Sequence, residues 1–272
     1  MPELPEVETI CQGIRQNILG KKIVLTKNSD KNLRLPFPKN LADLRTQKIT
    51  SVDRRARYIL IKISHKILLI HLGMSGKLLY FRKVPEILAK HDHFLIIFTD
   101  QSGLIYNDPR RFGLVDLVDE DKIYQHKMLK NLGIEPLTKD FNGKYLQQKL
   151  KGRKINIKTA MMDNRIVVGV GNIYINESLF ASKISPLTIS GNLSLAKLNV
   201  LVQNIKQILQ KAIDSGGSTL RDYAKSNGDF GAFQFDFKVY GREGKDCLIC
   251  ASKIKKIKQN GRSSFYCKDC QI

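Results

Sequence analysis

Arg57-Tyr58-Ile59-Leu60-Ile61-Lys62-Ile63, a short Ser64-His65 break, then Lys66-Ile67-Leu68-Leu69-Ile70-His71-Leu72 is the stretch on which the fold turns. Two β-branched, apolar runs on either side of a tight turn read as a β-hairpin. A second pair follows: Phe94-Leu95-Ile96-Ile97-Phe98 and Leu104-Ile105-Tyr106 flank Thr99-Asp100-Gln101-Ser102-Gly103. Hairpins without intervening helices imply an antiparallel sandwich or barrel over about residues 22–118. Two glycine-bearing loops punctuate it, Leu72-Gly73-Met74-Ser75-Gly76 and Asn107-Asp108-Pro109-Arg110-Arg111-Phe112-Gly113.

Upstream, Val7, Ile10, Cys11, Ile14 and Ile18 recur at helical spacing, and Gly20 is a plausible stop. Downstream of Gly133-Ile134-Glu135-Pro136 the strand pattern ceases. Helical signals lie around 121–131, 142–151 and 172–182. The clearest is Leu195, Leu198, Val202, Ile205, Leu209 and Ala212, capped by Ser194 and stopped by Gly216-Gly217. The tail from about 238 reads as two hairpins. The chain is therefore expected to be a multidomain α+β protein: a β domain with an N-terminal helix (1–134), a helical domain (135–237) and a ribbon (238–272).

The tail carries Cys247-x2-Cys250-x16-Cys267-x2-Cys270. Paired Cys-x2-Cys units fit one four-thiolate zinc site, and with all four positions filled by protein the zinc is structural. In a cytosolic chain disulfides explain the pattern less well. Cys11, alone on the apolar side of the first helix, reads as a small core residue.

Over 272 residues, Lys and Arg total 46 against 25 Asp and Glu, a net charge of +21. That excess favours a polyanionic partner. No apolar run approaches about 18 residues, so no membrane span is expected. The acidic, amphipathic N-terminus is unlike a signal peptide. A cytoplasmic, nucleoid-associated and monomeric protein that binds nucleic acid is the expectation.

The first residues, Met1-Pro2-Glu3-Leu4-Pro5-Glu6-Val7-Glu8-Thr9, admit two readings. Pro2 and Pro5 can simply start a helix, with Glu6 and Glu8 in a first turn whose dipole favours carboxylates. Alternatively, removal of Met1 leaves a secondary amine titrating near pH ~8, partly unprotonated and nucleophilic at neutral pH. Attack on a sugar carbon would form an iminium, an electron sink for elimination, with Glu3 beside it to move protons.

Five ordered segments resemble the bacterial formamidopyrimidine-DNA glycosylase family: residues 1–9, His71-Leu72-Gly73-Met74-Ser75-Gly76, Asp108-Pro109-Arg110-Arg111-Phe112-Gly113, Gly169-Val170-Gly171-Asn172-Ile173-Tyr174, and Val239-Tyr240-Gly241-Arg242 with the cysteines after it. Each is weak alone; in order along the whole chain they are strong. The resemblance implies a bifunctional glycosylase and abasic-site lyase of base excision repair. It would excise oxidised purines through a Pro2 Schiff base and β,δ-elimination, acting on double-stranded DNA with damaged bases or abasic sites. The target nucleotide must be flipped out of the duplex.

By the same resemblance, Glu3 shuttles protons at the sugar. Met74, Arg110 and Phe112 fill the vacated space and probe the partner base, which suits two apolar wedges and one hydrogen-bonding cation. The helical domain would be a helix–two-turn–helix, with Asn172 and nearby amides on phosphate and Lys158 near the damaged base. His91 and Arg153 would contact DNA, Arg262 would grip the phosphates flanking the lesion, and 217–230 would be a mobile loop closing over the flipped base.

One position departs from the family. Its Arg-Arg-x-Lys-Tyr segment reads Arg54-Arg55-Ala56-Arg57-Tyr58 here. Lysine can donate a proton when its pKa is lowered; arginine stays charged and is a poor donor, though it still bridges a phosphate. Arg57 is expected to keep DNA positioning and to slow removal of 8-oxoguanine. Three other readings stay open: a non-catalytic lesion binder, a zinc-ribbon nucleic-acid binder without lesion preference, and a glycosylase for oxidised pyrimidines.

Overall fold

The computed structural model describes residues 2–218 and 232–272, Phe235 by its backbone alone. The chain divides into two compact units, Met1–Lys130 with Ser215–Ala232, and Asn131–Asp214 with Phe233–Ile272.

In the first unit, α1 (Leu4–Ile18) buries Val7, Ile10, Cys11, Ile14 and Ile18, and its C-terminal glycine, Gly20, takes φ +78°. Eight strands follow: β1 (Ile23–Asn28), β2 (Ile49–Arg55), β3 (Tyr58–Ile63), β4 (Lys66–His71), β5 (Lys77–Phe81), β6 (Asp92–Phe98), β7 (Gly103–Asn107) and β8 (Leu114–Asp119). They pair antiparallel as two four-stranded sheets, β1-β6-β7-β5 and β2-β3-β4-β8, which resolves the sandwich-or-barrel alternative in favour of the sandwich. Ile59 and Ile61 of β3, Leu68 and Ile70 of β4, Ile96 and Phe98 of β6 and Tyr106 of β7 share one core with α1. The helix is fastened to β2: Arg15 Nε donates to the Val52 carbonyl at 2.8 Å, and the Cys11 thiol to that of Asp53 at 3.6 Å.

The second unit contains α2 (Gly143–Leu150), α3 (Ile157–Met161), α4 (Asn172–Ala181), α5 (Leu195–Asp214) and the hairpin β9 (Lys255–Gln259) and β10 (Arg262–Tyr266). Leu146, Leu150, Tyr174, Leu179, Leu198, Val202, Ile205 and Leu209 form its core. The cysteine-bearing tail has a smaller apolar cluster of Val239, Cys247, Ile254, Phe265 and Cys267, completed by Phe180 from α4. A ribbon that borrows a phenylalanine from a neighbouring helix does not stand apart, so the helices and the tail form one unit.

Three sequence expectations are corrected. The helical signal at 121–131 is a single 3-10 stretch, Glu120–Gln125. Of the two hairpins expected in the tail only β9–β10 has regular strands; the first Cys-x2-Cys pair lies in a tight turn closed by an antiparallel bridge between Asp246 and Lys253. Arg57 is not a strand residue but lies in the β2–β3 turn, after Ala56 at φ +54°. Of the 217–230 loop, only Gly217 and Ser218 fall within the described residues. Among the described residues no helix is long and apolar enough to cross a membrane.

Candidate active site and metal centre

Pro2 and Glu3 are both buried, at the entrance to α1. Glu3 is the N-cap, and a reciprocal capping box closes the helix: its carboxylate accepts the Glu6 amide, and Glu6 Oε2 accepts the Glu3 amide at 2.8 Å. The other oxygen, Glu6 Oε1, accepts the Ser218 amide at 2.8 Å and its hydroxyl at 3.0 Å. Glu6 thus joins the N-terminal pair to the residue before 219. Gly217, at φ +79°, comes so close that an added Cβ would lie 3.1 Å from Glu6 Cγ. The first-turn acids are anchors, not surface decoration.

Glu8 does the same for Arg57. Arg54 Nε donates to Glu8 Oε2 at 2.8 Å, and Arg54 Nη1 to the Ala56 carbonyl at 3.1 Å. With the two side chains 9% and 19% exposed, this ion pair is largely shielded from water and fixes the turn carrying Arg57 against the start of α1. Next to it lies a group the sequence reading passed over. Burial, then the positive charges of Arg57 and Arg34, pull His71 down to about 4, so it is neutral at pH 7. Its Nδ1 accepts the Gly73 amide at 3.1 Å, which leaves the proton on Nε2 as a donor. The signal was available: His71 heads the quoted His-Leu-Gly-Met-Ser-Gly segment.

The two glycine-bearing loops are built as one object. Gly73 takes φ +61°, and a Cβ there would meet the Phe112 carbonyl carbon at 2.5 Å. Asp108, fully buried, holds the second loop: Oδ1 accepts the Ser75 hydroxyl at 2.7 Å and the Arg110 amide at 3.2 Å. Its Oδ2 accepts the Gly113 amide at 2.9 Å and the Tyr106 hydroxyl at 3.3 Å. What projects is Met74, 41% exposed, and Phe112, 49% exposed, with the Arg110 guanidinium 4.8 Å above the Phe112 ring. Neither apolar tip belongs to the core. His91, half-buried, accepts the Asp108 amide on its carbonyl at 3.0 Å, so it borders the same loop.

Arg153, Lys158, Asn172 and Arg262 belong to the second unit. Arg262 is exposed at the start of β10, after an Asn260-Gly261 turn with φ +46° and +75°. Successive positive φ values suit the Asn-Gly hairpin turn. Asn172 opens α4 and donates through Nδ2 to the Ser263 carbonyl at 3.1 Å. Arg153 is engaged locally, with Nε on the Lys149 carbonyl at 2.8 Å and Nη1 3.7 Å from Asp163.

Lys158 lies inside the second unit. It is 1% exposed, and its ammonium donates inward, to the Ser263 carbonyl at 2.8 Å and Ser264 Oγ at 2.7 Å. Sequence alone could not see this, because α3 is too short for periodicity to show its buried face. Glu177, 5% exposed, accepts the amides of Lys238, Val239 and Tyr240 at 2.9, 3.1 and 2.8 Å. Burial raises its pKa, with those amides pulling the other way.

The four ribbon cysteines converge: their Sγ atoms all lie within 4.8 Å of one another, with Cys247–Cys270 at 3.8 Å and Cys250–Cys267 at 3.4 Å. A tetrahedron with Zn–S bonds of about 2.3 Å needs sulfurs roughly 3.8 Å apart. The Ser252 amide and hydroxyl hold the Cys250 thiol down, at about 6, which favours the thiolate a metal requires. The donor set fits one structural zinc.

Comparison with known proteins matches three regions of the chain. Residues 1–115 match the formamidopyrimidine-DNA glycosylase N-terminal domain, 132–224 the formamidopyrimidine-DNA glycosylase H2TH domain, and 244–272 the zinc finger found in FPG and IleRS. The chain is 47% identical over 273 residues to the formamidopyrimidine-DNA glycosylase of Wolbachia pipientis subsp. Culex pipiens (strain wPip), covering 100% of each. A Lactococcus lactis FPG mutant solved with Fapy-dG-containing DNA superimposes with a TM-score of 0.90 at 34% identity, covering 99% of each chain. The Lactococcus lactis Fpg solved with abasic-site-containing DNA gives a TM-score of 0.88 at 34% identity, again over 99% of each.

Proposed function

The chain belongs to the formamidopyrimidine-DNA glycosylase family, and from that premise we propose how its residues divide the work of a base-excision glycosylase and abasic-site lyase. The substrate is double-stranded DNA carrying oxidised purines or abasic sites. Pro2 attacks C1′ of the flipped nucleotide, the base leaves, and the iminium draws electrons from the sugar so that β- and then δ-elimination cut the strand. Glu3 carries the protons between these steps.

Arg57 and Arg262 hold phosphates; Arg57 does so without donating a proton. Met74 and Phe112 enter the gap left by the flipped base, and Arg110 meets the orphaned partner. His91, Arg153 and Asn172 contact the backbone. The zinc held by Cys247, Cys250, Cys267 and Cys270 supplies folding energy to the ribbon. The protein acts as a monomer in the cytoplasm, associated with the nucleoid, and its binding weakens steeply with salt as counterions are released.

The observation that carries this reading is the Glu6 carboxylate, which secures the Pro2–Glu3 entrance through one oxygen and Ser218 through the other. The capping half of this arrangement starts the helix, and the hold on Ser218 is what a mere helix start would not need.

The test is borohydride trapping on an 8-oxoguanine:cytosine duplex and on an abasic duplex, with the adduct mapped by mass. Adducts on Pro2 with both are expected. An Arg57→Lys variant should process the 8-oxoguanine duplex faster and the abasic duplex at the same rate. Equal 8-oxoguanine rates would sink the assignment to Arg57. No adduct with either duplex would leave a lesion-binding protein without chemistry.

A further inference from the structure

We infer that Lys158 is a positioning residue that aims Arg262 at its phosphate, and that it makes no DNA contact of its own. The inference rests on the DNA-binding role proposed above for Arg262. The hairpin β9–β10 is a two-stranded ribbon, so β10 has an outer edge whose polar groups find no third strand. Side chains from the helices take that place. The Ser263 carbonyl, one residue past Arg262, receives Lys158 Nζ at 2.8 Å and Asn172 Nδ2 at 3.1 Å. Two donors use both lone pairs of one oxygen, which fixes the direction of that peptide. Two residues on, the Phe265 amide donates to Asn176 Oδ1 at 2.7 Å.

The same ammonium is linked to the other strand through one hydroxyl. It donates to Ser264 Oγ, which donates to Gln259 Oε1, and Gln259 is the cross-strand partner of Arg262. Gln259 Nε2 then holds the Pro186 carbonyl at 3.1 Å. Lys158 therefore holds β10 directly and is linked through the Ser264 hydroxyl to the β9 residue opposite Arg262. At 1% exposure it has no surface to offer a phosphate, whereas Arg262 is exposed. The buried cation and the exposed one form one device.

The test is a double-mutant cycle on the zinc-loaded full chain, reading affinity for a duplex with a stable abasic analogue against salt concentration. Arg262→Ala should lower the slope of log K against log salt by about 0.9, one phosphate's worth. Lys158→Met should lower it by a similar amount, with a loss of affinity of roughly ten-fold. In the double variant the second change should alter neither slope nor affinity by more than about two-fold. Ser264→Ala, which keeps the ammonium and removes one acceptor, should show a smaller loss that also vanishes beside Arg262→Ala.

Slopes that add, to a deficit of about 1.8, would mean that Lys158 grips a phosphate itself. An unchanged Lys158→Met would overturn the inference too. If Arg262→Ala alone changes nothing, the proposed role of Arg262 falls, and this inference with it. Zinc content, measured on every variant, separates a mis-aimed ribbon from an unfolded one: losses that track missing zinc count against the inference.

Discussion

Both units present an exposed arginine a residue or two from a buried polar anchor, but the anchors have opposite polarity. In the first, the Asp108 carboxylate gathers donors: two loop amides and two hydroxyls around Arg110. In the second, Lys158 and Asn172 bring donors to a carbonyl beside Arg262. The difference follows from what each backbone leaves unpaired. A loop that turns sharply between two strands directs its amides inward and needs an acceptor. At the edge of β10 the carbonyl nearest Arg262 is the group left over, and it needs donors. The residue type of the anchor is dictated by the orphaned group, while the exposed cation is the same.

The anchors differ in redundancy, and the largest expected effect exploits that. Asp108→Ala strands three donors at once, the Tyr106 hydroxyl keeping the His71 carbonyl, and should cost about 3–5 kcal/mol in urea unfolding, since each buried donor left unmade costs about 1–3 kcal/mol. Asn172→Ala leaves Lys158 on the same carbonyl and should cost only about 1 kcal/mol. Equal costs would break the comparison.

A second contrast lies in pH. His71 has its pKa depressed from 6.5 to about 4, so the stability tied to its neutral form is complete above pH 6.5 and is lost as pH falls toward 4. The shift corresponds to about 3 kcal/mol. Glu177, in the other unit, has its pKa raised above 4.5, so its contribution is complete below that value and is lost as pH rises. Unfolding free energy measured against pH should therefore decline less below pH 6.5 in His71→Gln. In Glu177→Gln it should decline more steeply on acidification. Parallel curves for the wild type and His71→Gln would remove His71 from the account.

The smallest effect on stability belongs to a tip. Phe112→Ala should change it by no more than about 0.5 kcal/mol, because the ring is half exposed. It should nonetheless reduce the preference for lesion-containing over undamaged duplex in a competition assay. A large loss of stability would make Phe112 a core residue after all.

How much of this could be read from the chain depended on whether burial left a period. Helix α1 has one apolar face, and α5 has a cap that forms as expected, with the Lys197 amide 3.3 Å from Ser194 Oγ. The cysteine spacing likewise marked the metal centre. Helix α4 was located by its motif, but its role was hidden. It is buried on nearly every side, and Asn172, Asn176 and Glu177 look like polar interruptions until the ribbon's unpaired backbone groups are known. Lys158 and Asp108 fail for the same reason. A charged letter reads as surface, and only the partners reveal an anchor. Arg57 was misplaced by one residue of strand, because Ala56 adopts a left-handed turn that alanine gives no hint of.

The backbone contact between Gly73 and Phe112 bears on anyone recombining this chain with a relative. With no room for even a methyl group between them, the loops at 72–76 and 108–113 are effectively inherited together. A chimera with its crossover anywhere between them joins surfaces shaped for different partners. Crossovers before residue 72 and after 113 carry the three intervening strands, β5 to β7, along and keep the pair matched. A library built to retune base preference would do best to vary both loops in the same clone.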